Sequence, residues 1–175
     1  MGGKMKTEQN FWLPYFLLVI IQCVISNYFQ FSPYSVITLL PAMVVCIPLQ
    51  VSTSITMVIA FATGLGIDFL SEGVIGLNTA AIVPVALSRK MLIRGFIGGD
   101  ILARQDSFSI KKNGVLKVML TMAAAVAIFL IIYIIIDGAG TRPLWFNCAR
   151  FGISLTIDLC LAALITRVLT PDDRR

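Results

Sequence analysis

The sequence predicts an all-α polytopic membrane protein: a compact bundle of about six transmembrane helices, with both termini on the cytoplasmic side. Three observations predict it. Of the 175 residues, 58% are hydrophobic and 13% charged, and the mean hydropathy is +0.90. A soluble domain of this size must show polar surface to water and has nowhere to hide so much apolar material. The apolar residues also fall into long stretches, and the basic residues divide unequally among the loops between them.

A helix needs about 20 residues to cross a hydrocarbon core of about 30 Å. The first stretch is 11–29. Lys4 and Lys6 precede it like the start of a signal peptide. No small-x-small cleavage site follows, and the run ends in Asn27, Tyr28 and Phe29, so it reads as a retained span. No lipid anchor is expected: Cys23 follows a glutamine, and Lys6 stands where a myristoylation pattern needs Ser or Thr. Pro14 falls in the first turn, where its missing N–H costs little.

The next two spans are 33–48 and 51–71. One helix from 33 to 70 would be about 57 Å long, too long for a single crossing. Pro48, Gln50, Ser52 and Ser54 supply the polar break between them. Pro41 in the second span and Pro84 in the fourth are expected to kink their helices. The fourth stretch, 74–88, is short, and charge decides that it crosses. If it does, Lys4, Lys6, Arg89, Lys90, Arg94, Arg104, Lys111, Lys112, Lys117, Arg167, Arg174 and Arg175 share one side. Only Arg142 and Arg150 then lie opposite, as the positive-inside bias requires. Residues 115–136 and 145–169 complete one integral membrane domain over 1–175. Trp12 and Tyr15 mark the inner edge, and Tyr28, Tyr34, Tyr133 and Trp145 the outer one. The loop at roughly 97–114 reads as a solvated connector, or as a docking surface for cytoplasmic partners or anionic lipid.

Several chemistries are disfavoured. There is no histidine, which removes His triads, His metal sites and a His switch. Cys23, Cys46, Cys148 and Cys160 are isolated and read as small packing residues. Ser26, Ser35, Ser54 and Ser154 have no evident base. No enzyme activity, cofactor or metal site is expected, and nothing beyond charge suggests nucleic acid.

Two acids interrupt the apolar runs. Asp68 lies near the outer end of the third span and Asp158 near the middle of the sixth. A charged Asp at mid-span costs about 2.5–3.5 kcal/mol on insertion scales, so such residues face other helices, a cavity or a polar partner. Gly64 follows Ala60 by four residues, a small-residue strip that admits a neighbouring helix, and Asp68 continues that face. Gly73 and Gly76 suit a tight outer turn. Arg150, Ser154 and Asp158 form one stripe on the sixth helix, with Arg150 extending toward the outer interface. Structural contact, a proton or ion pathway and a partner-helix contact all remain open for these acids. With no histidine and no buried lysine, the relay is the poorest of the three. On the contact reading, Asp68→Asn is expected to be tolerated better than Asp68→Leu.

The pattern Gly64, Asp68, Ser71, Gly73, Gly76, Asn78, Ala80 resembles the rod-shape-determining family MreD. "ALSRKMLIR", residues 86–94, resembles the arginine-containing helix end of Bacteroidetes-type members, with Arg89 as that arginine. Lys90 stands where proline would be expected. The resemblance is concentrated in 60–95 and extends weakly over the chain through size and span layout. It implies a non-enzymatic scaffold of the bacterial elongation machinery in the inner membrane, supporting cell shape and peptidoglycan synthesis. The implied partners are a single-span MreC-like protein and, through it, the MreB/RodA/transpeptidase complex. The alternative is a substrate-binding subunit of an energy-coupling-factor vitamin transporter. Such subunits carry an Ala-x-x-x-Ala strip on their first helix, and residues 11–31 contain no alanine.

The charge partition sets a topology test. Reporters fused after residue 72 or 140 should be extracytoplasmic, and those after 105 or 175 cytoplasmic. A reporter at 105 found outside would reduce the crossings to five.

Overall fold

The computed structural model describes residues 2–28, 35–71, 74–99, 101, 113–138 and 142–169. Among these, all regular structure is helical: α1 Gly2–Tyr28, α2 Leu40–Cys46, α3 Thr53–Leu70, α4 Leu77–Phe96, α5 Val115–Gly138 and α6 Leu144–Leu169. Four helical segments are long and apolar enough to cross a membrane: Phe11–Tyr28, Thr53–Leu70, Val115–Gly138 and Leu144–Leu169. The protein is an all-α, multi-pass membrane bundle. Its surface fits that solvent, since Leu13, Phe16, Ile20, Val58, Phe69, Met91, Ile135 and Leu164 are all exposed.

The chain doubles back repeatedly. Tyr15 meets Thr63 and Asn27 meets the Leu70 carbonyl, so α1 and α3 run parallel. α4 returns against α3 and also packs on α5, which pairs with α6. One end of the bundle therefore gathers the α3–α4 and α5–α6 turns. At its centre lies α2, with all seven of its residues buried against α4, α5 and α6.

α2 is where the second stretch departs from expectation. The helix expected over 33–48 is regular only at Leu40–Cys46, and 35–39 carries no regular structure. Pro41 is the reason. Instead of kinking a long helix, it occupies the first turn of a short one, where no N–H is needed. The connection to α3 is tight: Val51 N–H donates to the Pro48 carbonyl at 3.1 Å, and the Ser52 hydroxyl accepts from Ile55 N at 3.3 Å. The Ser52 contact is an ordinary N-cap.

The other elements depart less. α4 continues to Phe96, beyond the expected end at 88. Charge seemed to close that span, yet Arg89 points inward and is buried. Tyr15, expected at the interface, is core: it is buried, and its hydroxyl lies 3.1 Å from Thr63 Oγ1. Thr63 gives its own proton to the Ile59 carbonyl, so Tyr15 is the donor. Tyr28 and Trp145 are exposed. Tyr34 and most of the 97–114 loop lie outside the described residues.

α3 and α4 approach closely at one glycine. A Cβ on Gly64 would lie 2.8 Å from Thr79 Cα and 3.0 Å from its nitrogen, whereas one on Gly66 would meet nothing within 4 Å. The helix that Gly64 admits is thus α4 of the same chain. Alanine is the better helix former by about 1 kcal/mol, so Gly66→Ala should be neutral or slightly stabilising. Gly64→Ala should destabilise by about 1–3 kcal/mol, because backbone must shift. Detergent-phase unfolding of the two variants decides this, and a stabilised Gly64→Ala would refute the close approach.

Candidate functional site

Among the described residues, four groups of polar side chains stand out inside the bundle, and the first three can be built from the backbone groups they serve. The first sits at the α3–α4 corner. α4 starts at Gly76, which has φ +95°, a conformation that favours glycine, and which has no side chain to cap the helix. Asp68 of α3 supplies the cap. Its Oδ2 accepts from Gly76 N at 3.0 Å, Thr79 N at 3.1 Å and the Thr79 hydroxyl at 2.8 Å. Its Oδ1 accepts from Asn78 N at 3.0 Å and Asn78 Nδ2 at 2.9 Å. Every partner is a donor, which suits an acceptor-only carboxylate at the positive end of a helix dipole.

The second group feeds the irregular segment 35–39. Val36 N–H donates to Ser154 Oγ at 2.8 Å and Thr38 N–H to Asp158 Oδ1 at 3.0 Å, both on α6. Leu39 N–H donates to Gln22 Oε1 of α1 at 2.7 Å, while Gln22 Nε2 reaches Ser26 Oγ and the Ile37 carbonyl. Asp158 Oδ2 is buried with no hydrogen-bond partner among the described residues. The third group closes the other end of α2. Arg89, 1% exposed, donates Nε to the Val45 carbonyl at 3.1 Å and Nη2 to the Ile47 carbonyl. It thereby satisfies the terminal carbonyls of a short helix with a cation, as the dipole favours.

The fourth group joins α5 to α6. Asp137 Oδ2 accepts from Arg142 Nη1 at 3.1 Å and from Arg150 Nη1 at 2.5 Å. The Arg150 guanidinium lies 5.9 Å from the Tyr133 ring centre, and that of Arg142 lies 5.6 Å from Phe146. Arg150 therefore turns into the bundle rather than extending through lipid, and it is buried.

The residues singled out by sequence divide accordingly. Gly64, Asp68, Gly76 and Asn78 come together at the α3–α4 corner. Gly73 lies outside the described residues. Arg89 and Asp158 sit elsewhere, at opposite ends of the second pass. Sequence reasoning missed Gln22, Thr38, Thr79 and Asp137. A lone glutamine in an apolar helix was a signal for Gln22; a donor to Asp68 eleven residues along the chain left no local trace. No three or more Cys, Asp or Glu side chains among the described residues are grouped to hold a metal ion. Compared with protein-family models, curated proteins and solved structures, the chain matches none.

The all-donor surround of Asp68 revises the expectation for Asp68→Asn. An asparagine would turn an NH2 toward donors, so it should destabilise nearly as much as Asp68→Leu, by about 1–3 kcal/mol for unsatisfied groups. Unfolding measured for both variants at equal expression checks this. A wild-type-like Asp68→Asn would mean the cap is dispensable.

Proposed function

We propose that this protein is a non-enzymatic scaffold of a bacterial cell-elongation complex in the inner membrane. In this reading it docks a single-span MreC-type partner helix to helix, and through it joins the MreB/RodA/transpeptidase assembly. Gly64, Asp68, Gly76, Asn78 and Arg89, five of the residues behind the family resemblance, cap and pack the chain's own helices, which points docking to another surface. The observation that supports this is on α6. Its inner edge, Arg150, Ser154, Asp158 and Ala162, is buried. Its outer edge presents Cys148, Gly152, Thr156 and Cys160, all exposed and spaced by four. The Thr156 hydroxyl is satisfied by the Gly152 carbonyl at 2.9 Å, so the strip carries no unpaired hydroxyl there. A Cβ on Gly152 would meet nothing within 4 Å. A row of small side chains three turns long lets a second helix approach to van der Waals distance, the main source of helix association in lipid.

Gly152→Leu separates docking from folding. It fills open space and improves helix propensity, so stability should hold. Recovery of the single-span partner on co-purification should fall about tenfold, the equivalent of about 1.4 kcal/mol. Depletion in a rod-shaped host should round the cells without creating a vitamin requirement. Tight binding of a vitamin-like ligand with normal shape on depletion would establish the transporter reading instead.

A further inference from the structure

The Asp137–Arg142–Arg150 group is not explained by the scaffold reading and does not depend on it. Segment 35–39 and α2 account for Gln22, Arg89, Ser154 and Asp158, and the α4 N-terminus accounts for Asp68. Among the described residues, the contacts of this triad run between side chains and not to a helix end. The triad places two guanidiniums on a single carboxylate oxygen. Among the described residues, one negative charge thus faces two positive ones, and Asp68, at the same end of the bundle, has both oxygens engaged with α4. Each guanidinium carries five donors in a planar fork. Arg150 Nε is buried with no hydrogen-bond partner among the described residues. The Arg142 side chain is 36% exposed and open to a ligand. Both arginines also lie against the positive-inside bias, on the side that holds only these two of the 14 Lys and Arg.

The surroundings say which anion fits. Ile135, Ile136, Leu144 and Trp145 flank the triad on α5 and α6 and are exposed, Leu144 at 82% and Trp145 at 65%. Such side chains face acyl chains and the interface, which puts Arg142 at headgroup depth. Arg142 also lies two residues before the start of α6, where the helix dipole favours negative charge. We propose that Arg142, beside Arg150 and in competition with Asp137, binds the phosphate of an anionic phospholipid at this face of the membrane. The guanidinium fork matches phosphate oxygens two at a time, which a lysine would not do.

The test uses the full chain purified in detergent and offered equal amounts of phosphatidylglycerol and phosphatidylcholine, with retained lipid read by native mass spectrometry. Phosphatidylglycerol should be retained several-fold over phosphatidylcholine. The preference should fall to parity in Arg142→Gln and persist in Arg167→Gln, at the other end of the bundle. Asp137→Asn distinguishes a ligand site from a merely structural ion triad. Removing the competing carboxylate should keep or raise phosphatidylglycerol retention, whereas a structural triad would lose it. Equal retention of the two lipids, or a preference that survives Arg142→Gln, would overturn the proposal. So would binding of inorganic phosphate at Arg142 without any lipid preference, since the source would then be a soluble anion.

Discussion

Hydrocarbon offers no hydrogen-bond partner, and one break in the helical ladder sets the terms for this bundle. Residues 35–39 run unpaired by any helix through its interior before α2 begins. Each unsatisfied backbone group there would cost several kcal/mol. The chain meets this from three sides: Gln22 from α1, Ser154 and Asp158 from α6, and Arg89 from α4 at the far end of α2. These contacts fix where three helices stand relative to the broken one. The polar stripe on α6 is thus an internal bracket.

The α3–α4 corner follows the same logic with a different donor set. Placing a carboxylate inside the apolar part of a membrane protein is costly unless its oxygens find donors. Asp68 accepts five hydrogen bonds, each stronger for being made to a charged group. The gain outweighs the cost only because the donors converge. Gly76 supplies the turn that aims them, and Gly64 lets Thr79 come near enough to contribute two. Glycine and aspartate work here as one unit.

Consuming polar groups inside leaves the outer surface to do what the protein does for others. α6 illustrates the division, with buried polar residues on one edge and small exposed ones on the opposite edge. The α5–α6 turn departs from that economy, because its arginines outnumber the carboxylate that holds them. The two proposals, helix contact in the membrane plane and headgroup contact at its face, concern separable surfaces of one helix.

The sequence by itself determined the solvent and the class. Long apolar stretches carrying few charges can only be helices in lipid, and composition is enough to say so. It also marked Gly64 and Asp68 as one helix face and Gly76 as a turn, because these positions lie close along the chain, whereas Asn78 entered only through the family resemblance. Tertiary structure alone decided the rest. A seven-residue α2 could not be told from a full span, because the partners that let 35–39 leave the helix lie on α1 and α6, up to 120 residues away. Arg89 read as the charged end of a span, and only α2's carbonyls explain why it is buried within one. Arg150 read as an outward-reaching cation, and only Asp137 on α5 turns it inward. Periodicity reports which solvent a face meets. Which backbone group a buried polar atom serves depends on how the helices pack.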